Sequence, residues 1–370
     1  MQEIDKLFFE LIRVAIGSQV CLSRTPKVKE WQELYAMAKK QSLVGVCFAG
    51  MQKLKAQRQA SNSWDDELGE MLYLQWLGMA AKIQQRNEVV NRQCVELQQR
   101  LLTDGFRSCI LKGQGNALLY NENLSNLRQS GDIDVWVEGT RTDIIDYVQR
   151  SWPSNDISHQ HARLNMFKDT EVELHFVPSE LEYWGTNRLL KRYYAVERNS
   201  QFDSNVISLD KAGKVNVPTV AFNLVFQMTH IYRHLFGEGV GLRQVMDYYF
   251  VLLHSTEEDR KEGMKMLRKL KMERFASALM YVLGNVFGLD SSFHICKPDE
   301  VTGKILLKDI LMSGNFGRAR GVVENDNWFK RTIRFTRKNT HLLQYYPTEV
   351  IADPFWRLWH FCWKKKQGYK

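Results

Sequence analysis

The chain has no apolar run long enough to cross a membrane. Its longest weakly polar stretch, residues 275–289, is interrupted by Ser277 and Asn285 and falls short of the about 20 residues a spanning helix needs. None of its six cysteines (Cys21, Cys47, Cys94, Cys109, Cys296, Cys362) belongs to a CxxC pair, which argues against a zinc site. There is no internal repeat and no low-complexity segment, so solenoids and disordered tracts are set aside. The N-terminus, Met1-Gln2-Glu3-Ile4-Asp5, is acidic where a secretory leader is basic, so the thiols are read as reduced and the protein as cytoplasmic. What remains is 370 residues, 44% of them apolar, enough for one large domain or two to three smaller ones.

A net charge of +9 invites a nucleic-acid partner, and its distribution argues otherwise. Residues 330–370 hold ten Lys/Arg and two Asp/Glu, a net +8, leaving about +1 for the first 329. The basicity belongs to the C-terminal segment, where Phe355, Trp356, Trp359 and Trp363 precede Lys364-Lys365-Lys366. Such a segment suits an interfacial helix or contact with an acidic partner or nucleic acid. More often it is a terminal helix docked by its tryptophans, with a solvated lysine end.

Helical spacing runs through 4–55, and again from Trp64 to about Thr103, a stretch without proline that reads as one long helix or two joined near Gly78. Asp104-Gly105 is a turn pair, and the pattern then changes. Ser108-Cys109-Ile110-Leu111 predicts a buried strand, Gly113 opens a short helix, Ile133 to Val137 is a second strand and Thr142 to Trp152 a helix. Residues 164–168 and 172–177 read as a hairpin across Lys168-Asp169-Thr170. Helical spacing returns after Pro218-Thr219, breaks at Gly237, Gly239 and Gly241, resumes at 242–254 and 258–288, and weakens near 313–321. The expected organisation is a helical region over 1–104, an α/β core over 105–217 and a second helical region over 218–370.

The chemistry sits in Arg128-Gln129-Ser130-Gly131-Asp132-Ile133-Asp134. Alternation on a strand puts Asp132 and Asp134 on one face, about 6–7 Å apart along the backbone. The apolar residues between and beyond them drive that strand into the core, where two acids are costly without a cation. A hard divalent ion, Mg²⁺ above all, is the natural partner. A lone DxD is more often a turn cap followed by a solvated strand end. Two further features favour the metal. Lys112-Gly113-Gln114-Gly115 ends a strand and starts a helix, exposing backbone N–H groups to an anion such as a triphosphate. Glu171, Glu173 and His175 share one face of a later strand, so Glu173 would supply a third carboxylate.

Leu111-Lys112-Gly113, Tyr120, Arg128, Asp132-Ile133-Asp134 and Val172-Glu173-Leu174-His175 together resemble the nucleotidyltransferases of the DNA polymerase beta type. More closely they look like the uncharacterised bacterial nucleotidyltransferase family, strongly over about 105–180 and more loosely into the flanking helices. The resemblance implies an α+β fold, a small mixed-sheet nucleotidyltransferase core flanked by mostly helical N- and C-terminal regions. It implies two Mg²⁺ ions held by Asp132, Asp134 and Glu173, and an NTP, ATP among the candidates, as donor. Lys112, Gly113, Arg128 and Ser130 would bind the nucleotide. The acceptor would be a hydroxyl of a small molecule or a protein. Gly113 is followed by Gln114 where the superfamily commonly has Gly or Ser, a departure that leaves the acids untouched.

His175 would orient Glu173 or the acceptor, or simply make a structural hydrogen bond. His230 and His234 lie four apart, as do Arg243 and Asp247. No Glu follows His230 in HExxH fashion, and Arg243 with Asp247 has the spacing of an intrahelical ion pair. In the family such a region packs on the catalytic unit, so these four are read either as pocket lining or as a structural network. The runner-up function is a catalytically idle nucleotide- or partner-binding module, and a third is a polymerase-like enzyme acting on RNA ends.

Overall fold

The structure, a computed structural model, describes residues 2–58, 68–152, 156–203, 205–209, 211–315 and 328–369. The N-terminal helices are α1 (Glu3–Ile16), α2 (Val28–Lys40) and α3 (Val44–Arg58), followed by the 34-residue α4 (Glu70–Thr103). The helical stripe of α1, with Leu7, Phe8, Leu11, Ile12 and Ala15, is fully buried. α4 is one continuous helix, as its lack of proline allows. Gly78 faces open space and costs only its weak helix propensity. The expected helix start at Trp64, Asp65 and Asp66 lies outside the described residues.

The α/β unit follows. It comprises β1 (Ser108–Leu111), α5 (Gly113–Ala117), α6 (Glu122–Ser125), β2 (Ile133–Val137), α7 (Arg141–Ser151), β3 (His161–Leu164) and β4 (Val172–His175). The sheet order is β1-β2-β4-β3. β1 and β2 are antiparallel, β2 and β4 are parallel, and β3 and β4 are antiparallel. The hairpin differs from its sequence reading. Its first strand is 161–164 and not 164–168, and its loop covers 165–171. Leu164 and Val172 pair across its end, and the sequence misplaced the register because Met166 and Phe167 extend the apolar pattern past the strand.

Next come α8 (Trp184–Asp203) and a small hairpin of β5 (Val206–Leu209) and β6 (Gly213–Asn216), neither of which the sequence pattern announced. The C-terminal helices are α9 (Val220–Phe236), α10 (Leu242–Leu253), α11 (Glu257–Lys269), α12 (Glu273–Phe287), α13 (Glu300–Ser313), α14 (Trp328–Asn339) and α15 (Pro347–Gln367). α9 starts where the Thr219 hydroxyl accepts from the Phe222 N–H, a side-chain cap, and stops at Gly237. Most of the weak stretch at 313–321 lies outside the described residues.

Two cores result. One fills one face of the sheet with Ile110, Ile133, Val135, Val172 and Leu174 against the C-terminal half of α4. The other joins the N-terminal helices to α9–α13 and receives Cys109, Leu111 and Trp136 from the sheet's other face. Trp136 makes that junction, with ring centroids 4.9 Å from Phe202 and 5.7 Å from Phe222. α4 supplies Trp76, Ala80 and Ile83 to the second core and Val90, Cys94 and Leu97 to the first, so one rigid rod spans both.

α15 is anchored by an acid. Glu349 is 3% exposed and accepts from the backbone N–H groups of Glu182 (2.9 Å) and Tyr183 (3.2 Å). Burial pushes its carboxyl up to about 7 from an ordinary 4.5. The native state therefore holds the proton while the unfolded chain has lost it, and stability falls as pH rises through that window. Glu349→Gln, which cannot ionise, is expected to flatten the decline and to gain up to about 3 kcal/mol over the wild type at about pH 8. Urea unfolding followed from about pH 5 to about pH 8 measures this; an unaltered slope would refute it.

Candidate active site

The register of the sheet builds the site. Asp134 lies opposite Leu111 on β1 and opposite Glu173 on β4, and Glu173 in turn pairs with Arg163 on β3. One step along, Trp136 pairs with His175 and His175 with His161. Side chains alternate between faces, so Asp134, Glu173, Arg163, His175 and His161 share a single face, with Asp132 just before the strand. Carboxylate oxygens of Asp132, Asp134 and Glu173 lie within 4.8 Å of one another. A cavity of about 1190 Å³ opens here, and every residue that the sequence nominated lines it.

The three acids ionise differently. The charge on Asp134, with burial second, pushes the Asp132 carboxyl up to about 6. Burial raises Asp134 too, but Lys112 and His175 outweigh it and hold that carboxyl below its ordinary value. Lys112 Nζ stands 2.7 Å from Asp134 Oδ1. Glu173 is partly buried, which raises its carboxyl, but His175 and His161 hold it well below the usual range, with Arg163 Nε at 3.2 Å. The group is a carboxylate cluster balanced by protein cations.

His175 Nε2 donates to Asp134 Oδ1 at 2.8 Å. Neighbouring carboxylates pull the ring toward protonation, but the Gln160 amide lies 3.2 Å from Nδ1. Gln160's own oxygen accepts from Arg233, so its nitrogen must donate, and the neutral ring with its proton on Nε2 satisfies every partner. Lys112 itself has φ 51° and ψ −140°, and Gly113 has φ 40°. A side-chain-bearing residue in that region is strained, and such strain gathers at functional turns. The helix after it, α5, has five residues and offers little dipole; the turn's own backbone faces the cavity. Gln114 is buried and donates to Asn91 on α4, so the departure from Gly or Ser leaves the cavity unobstructed.

Around Arg128, buried polar atoms stand without a hydrogen-bond partner among the described residues: Arg128 Nη1, Gln129 Oε1 and Ser130 Oγ. The segment is held by Asn87 of α4, whose amide donates to the carbonyls of Asn126 and Arg128, each at 2.8 Å. The rest of Arg128 is committed. Its Nε and Nη2 each lie 2.7 Å from an Asp247 oxygen, and the Tyr120 hydroxyl donates to the same carboxylate at 2.7 Å. Asp247 is thus salt-bridged to a residue 119 positions away, correcting the intrahelical assignment to Arg243, whose Nη1 donates to the Gln129 carbonyl at 2.5 Å. Burial, then the Arg128 charge, lowers Arg243 to about 10. His230 and His234 pack edge to face at 4.3 Å, and burial, followed by the charge on Lys112, keeps both neutral, His234 at about 3.

The sequence missed Gln160, His161 and Arg163, hidden by the misplaced hairpin register, and Arg233 of α9, which reaches the site through Gln160. It also treated the basic C-terminal segment as remote. In the structure Trp328, Arg331 and Phe335 of α14, with Trp356, Arg357 and Lys364 of α15, form a wall of this same cavity. The tryptophan and lysine spacing was visible; which surface they cover was not.

The family model described as an uncharacterised nucleotidyltransferase matches residues 27–288. Among solved structures, an antigenic nucleotidyltransferase-like protein from Paracoccidioides brasiliensis is similar over 54% of this chain and 92% of that one, at 14% identity and a TM-score of 0.32. The Thermotoga maritima CCA-adding enzyme, complexed with tRNA, is similar over 75% of this chain and 81% of that one, at 11% identity and a TM-score of 0.21. No curated protein matches the sequence.

The Arg128–Asp247 pair generates a sharp expectation. Asp247→Ala strands a buried guanidinium and is expected to cost about 3–5 kcal/mol, whereas Asp247→Asn, which keeps acceptor and shape, costs less. Urea unfolding of both variants tests this, and equal stabilities would contradict the pairing.

Proposed function

Because this chain belongs to the family of uncharacterised nucleotidyltransferases, we propose that its cavity transfers a nucleoside monophosphate from an NTP to a hydroxyl acceptor with the help of divalent magnesium. The observation that carries this reading is the convergence of Asp132, Asp134 and Glu173. Three converging carboxylates are the donor set of a hard cation, with His161 and His175 beside Glu173, and the Asp134 charge that raises the Asp132 carboxyl is one that a bound cation would offset. Asp132, Asp134 and Glu173 would hold the metal, two ions in the fullest arrangement, and metal bound there would neutralise phosphate charge and acidify the acceptor hydroxyl.

The chain's own residues supply the remainder. The strained Lys112-Gly113 turn brings backbone close to the phosphates, and Lys112 Nζ, now on Asp134, is placed to turn toward them as charge develops. Ser130 Oγ and Arg128 Nη1, buried and unpartnered among the described residues, offer donors to the nucleotide. His175 fixes the Asp134 carboxylate through its Nε2 proton. The acceptor oxygen bonds to the α-phosphorus, the bond to the β-phosphate oxygen breaks, pyrophosphate leaves in line, and the hydroxyl proton passes to the carboxylate cluster.

The double variant Asp132→Asn, Asp134→Asn is expected to lose metal-dependent NTP binding and pyrophosphate release together. Calorimetric titration of MgATP and MgGTP, with a pyrophosphate assay, measures both. Binding without pyrophosphate release from any hydroxyl acceptor would favour a catalytically idle nucleotide-binding module, and unchanged activity in the double variant would refute the role of the acids.

A further inference from the structure

The reaction needs a second substrate, and one wall of the cavity is free of the groups just assigned. That wall is made by α14 and α15, which contribute aromatic and basic side chains. α14 carries Lys330, Arg331, Arg334, Arg337 and Lys338 and no acid. The two acids of α15 are buried and engaged, Glu349 by backbone N–H groups and Asp353 by Arg357 at 2.6 Å. Cations gather around the Phe335 ring, with Arg331, Arg334, Lys338 and Arg357 at 5.8, 5.9, 5.9 and 4.3 Å from its centroid. The ring attracts each by about 0.5–1 kcal/mol; Arg331 and Arg357 line the cavity, Arg357 also paired with Asp353, while Lys338 donates to the Leu235 and Gly237 carbonyls. An anion entering the cavity meets Arg331 of α14 and Lys364 of α15.

Flat surfaces stand beside the cations. Trp328 stacks on Phe361 with centroids 4.7 Å apart, and Trp356 on His360 at 4.9 Å. Stacking holds these rings in place, and all four line the cavity, where an aromatic surface suits a sugar or a base. The wall also lies close to the acids. Arg233 sits over Trp356 at 5.8 Å and donates to Gln160, which donates to His175, which donates to Asp134. The volume of about 1190 Å³ exceeds the roughly 300–1,000 Å³ of a site for one small ligand, so donor and acceptor both fit.

We infer that the α14–α15 wall is the acceptor subsite and that it selects a phosphorylated ring compound, a sugar phosphate or a nucleotide, over its unphosphorylated counterpart. The inference rests on the nucleotidyl-transfer reading above and adds the chemistry of the second substrate. The donor's triphosphate is served by the Lys112-Gly113 turn and the carboxylate cluster, so Arg331 and Lys364 on the α14–α15 wall are placed for a different anion. A long polynucleotide is the poorer fit, because acids line the cavity as well as cations, Asp156, Asp169 and Glu171 as members of ion pairs, and leave no uninterrupted basic track for its backbone.

The full chain is titrated with glucose, glucose 6-phosphate, adenosine, AMP and a short ribo-oligonucleotide, and pyrophosphate release from MgATP is followed with each. A phosphorylated compound is expected to bind at least about tenfold more tightly than its unphosphorylated partner, the gain of one charge-assisted contact. Whether glucose 6-phosphate or AMP shows the preference identifies the ring. The double variant Arg331→Gln, Lys364→Gln is expected to lose that preference by about tenfold, through KM for the acceptor, while MgATP affinity stays at the wild-type value. Trp328→Ala is expected to weaken phosphorylated and unphosphorylated ligands alike.

Equal affinity for each phosphorylated and unphosphorylated pair, or a double variant with unchanged acceptor KM, overturns the inference and leaves the nucleotidyl-transfer reading standing if MgATP still binds. Binding confined to the oligonucleotide overturns it in favour of RNA. A wild-type chain that does not bind MgATP removes the reading beneath it.

Discussion

Three carboxylates stand together because β2 and β4 run parallel in register, and the surrounding structure must hold that concentration of negative charge. Lys112, His175, His161 and Arg163 do so from three segments: the β1–α5 turn, β4, and β3, which supplies the last two. Each is positioned by backbone pairing or by a strained turn, not by its own flexibility. A site assembled in this way keeps its acids close when no substrate is present. The energetic demand falls on the scaffold, which explains why one sheet face is filled by tightly packed aliphatic side chains while the other carries the polar groups.

A second buried charge pair joins the sheet unit to the helical region. Arg128 precedes β2, Asp247 lies on α10, and Tyr120 lies between α5 and α6. Here the polar contacts tie parts that also share the core around Trp136. The helical regions on either side of the α/β unit, separate in sequence, are therefore one body in space, with α4 running through both cores. The cavity lies where the polar face of the sheet meets that body, which is why its walls come from such distant stretches.

Much of the centre was legible in the residues. Ser108–Leu111 and Ile133–Val137 announce themselves as short apolar runs bounded by turns, and the same-face acids follow from strand alternation. What was illegible involves pairing between segments. Nothing local says that β4 lies parallel to β2, although that pairing sets Glu173 beside Asp134. The spacing of Arg243 and Asp247 suggested a local ion pair, and a stronger bidentate partner from the sheet unit took the carboxylate. The hairpin register was misread because Met166 and Phe167 prolong the apolar pattern, which displaced His161 and Arg163 from view. β5 and β6 are too short and too exposed to leave a period, and the charge partition isolated the C-terminal segment without revealing the surface it covers.

The N-terminal helix depends on the far side of the chain. Ser18 Oγ donates to the Phe287 carbonyl at 2.7 Å across 269 residues, and Arg13 reaches the Val286 carbonyl at 3.2 Å. At about 5–20 residues per second, α1 leaves the ribosome long before α12 exists to receive it. α3 follows soon after and packs on α1, but the part of the apolar stripe that meets α12 stays uncovered for about ten seconds or more. Sequence-distant contacts of this kind slow folding by their loop-closure entropy. The early helices of this protein are thus the part most in need of a chaperone during synthesis, although in the finished molecule they are among the most deeply buried.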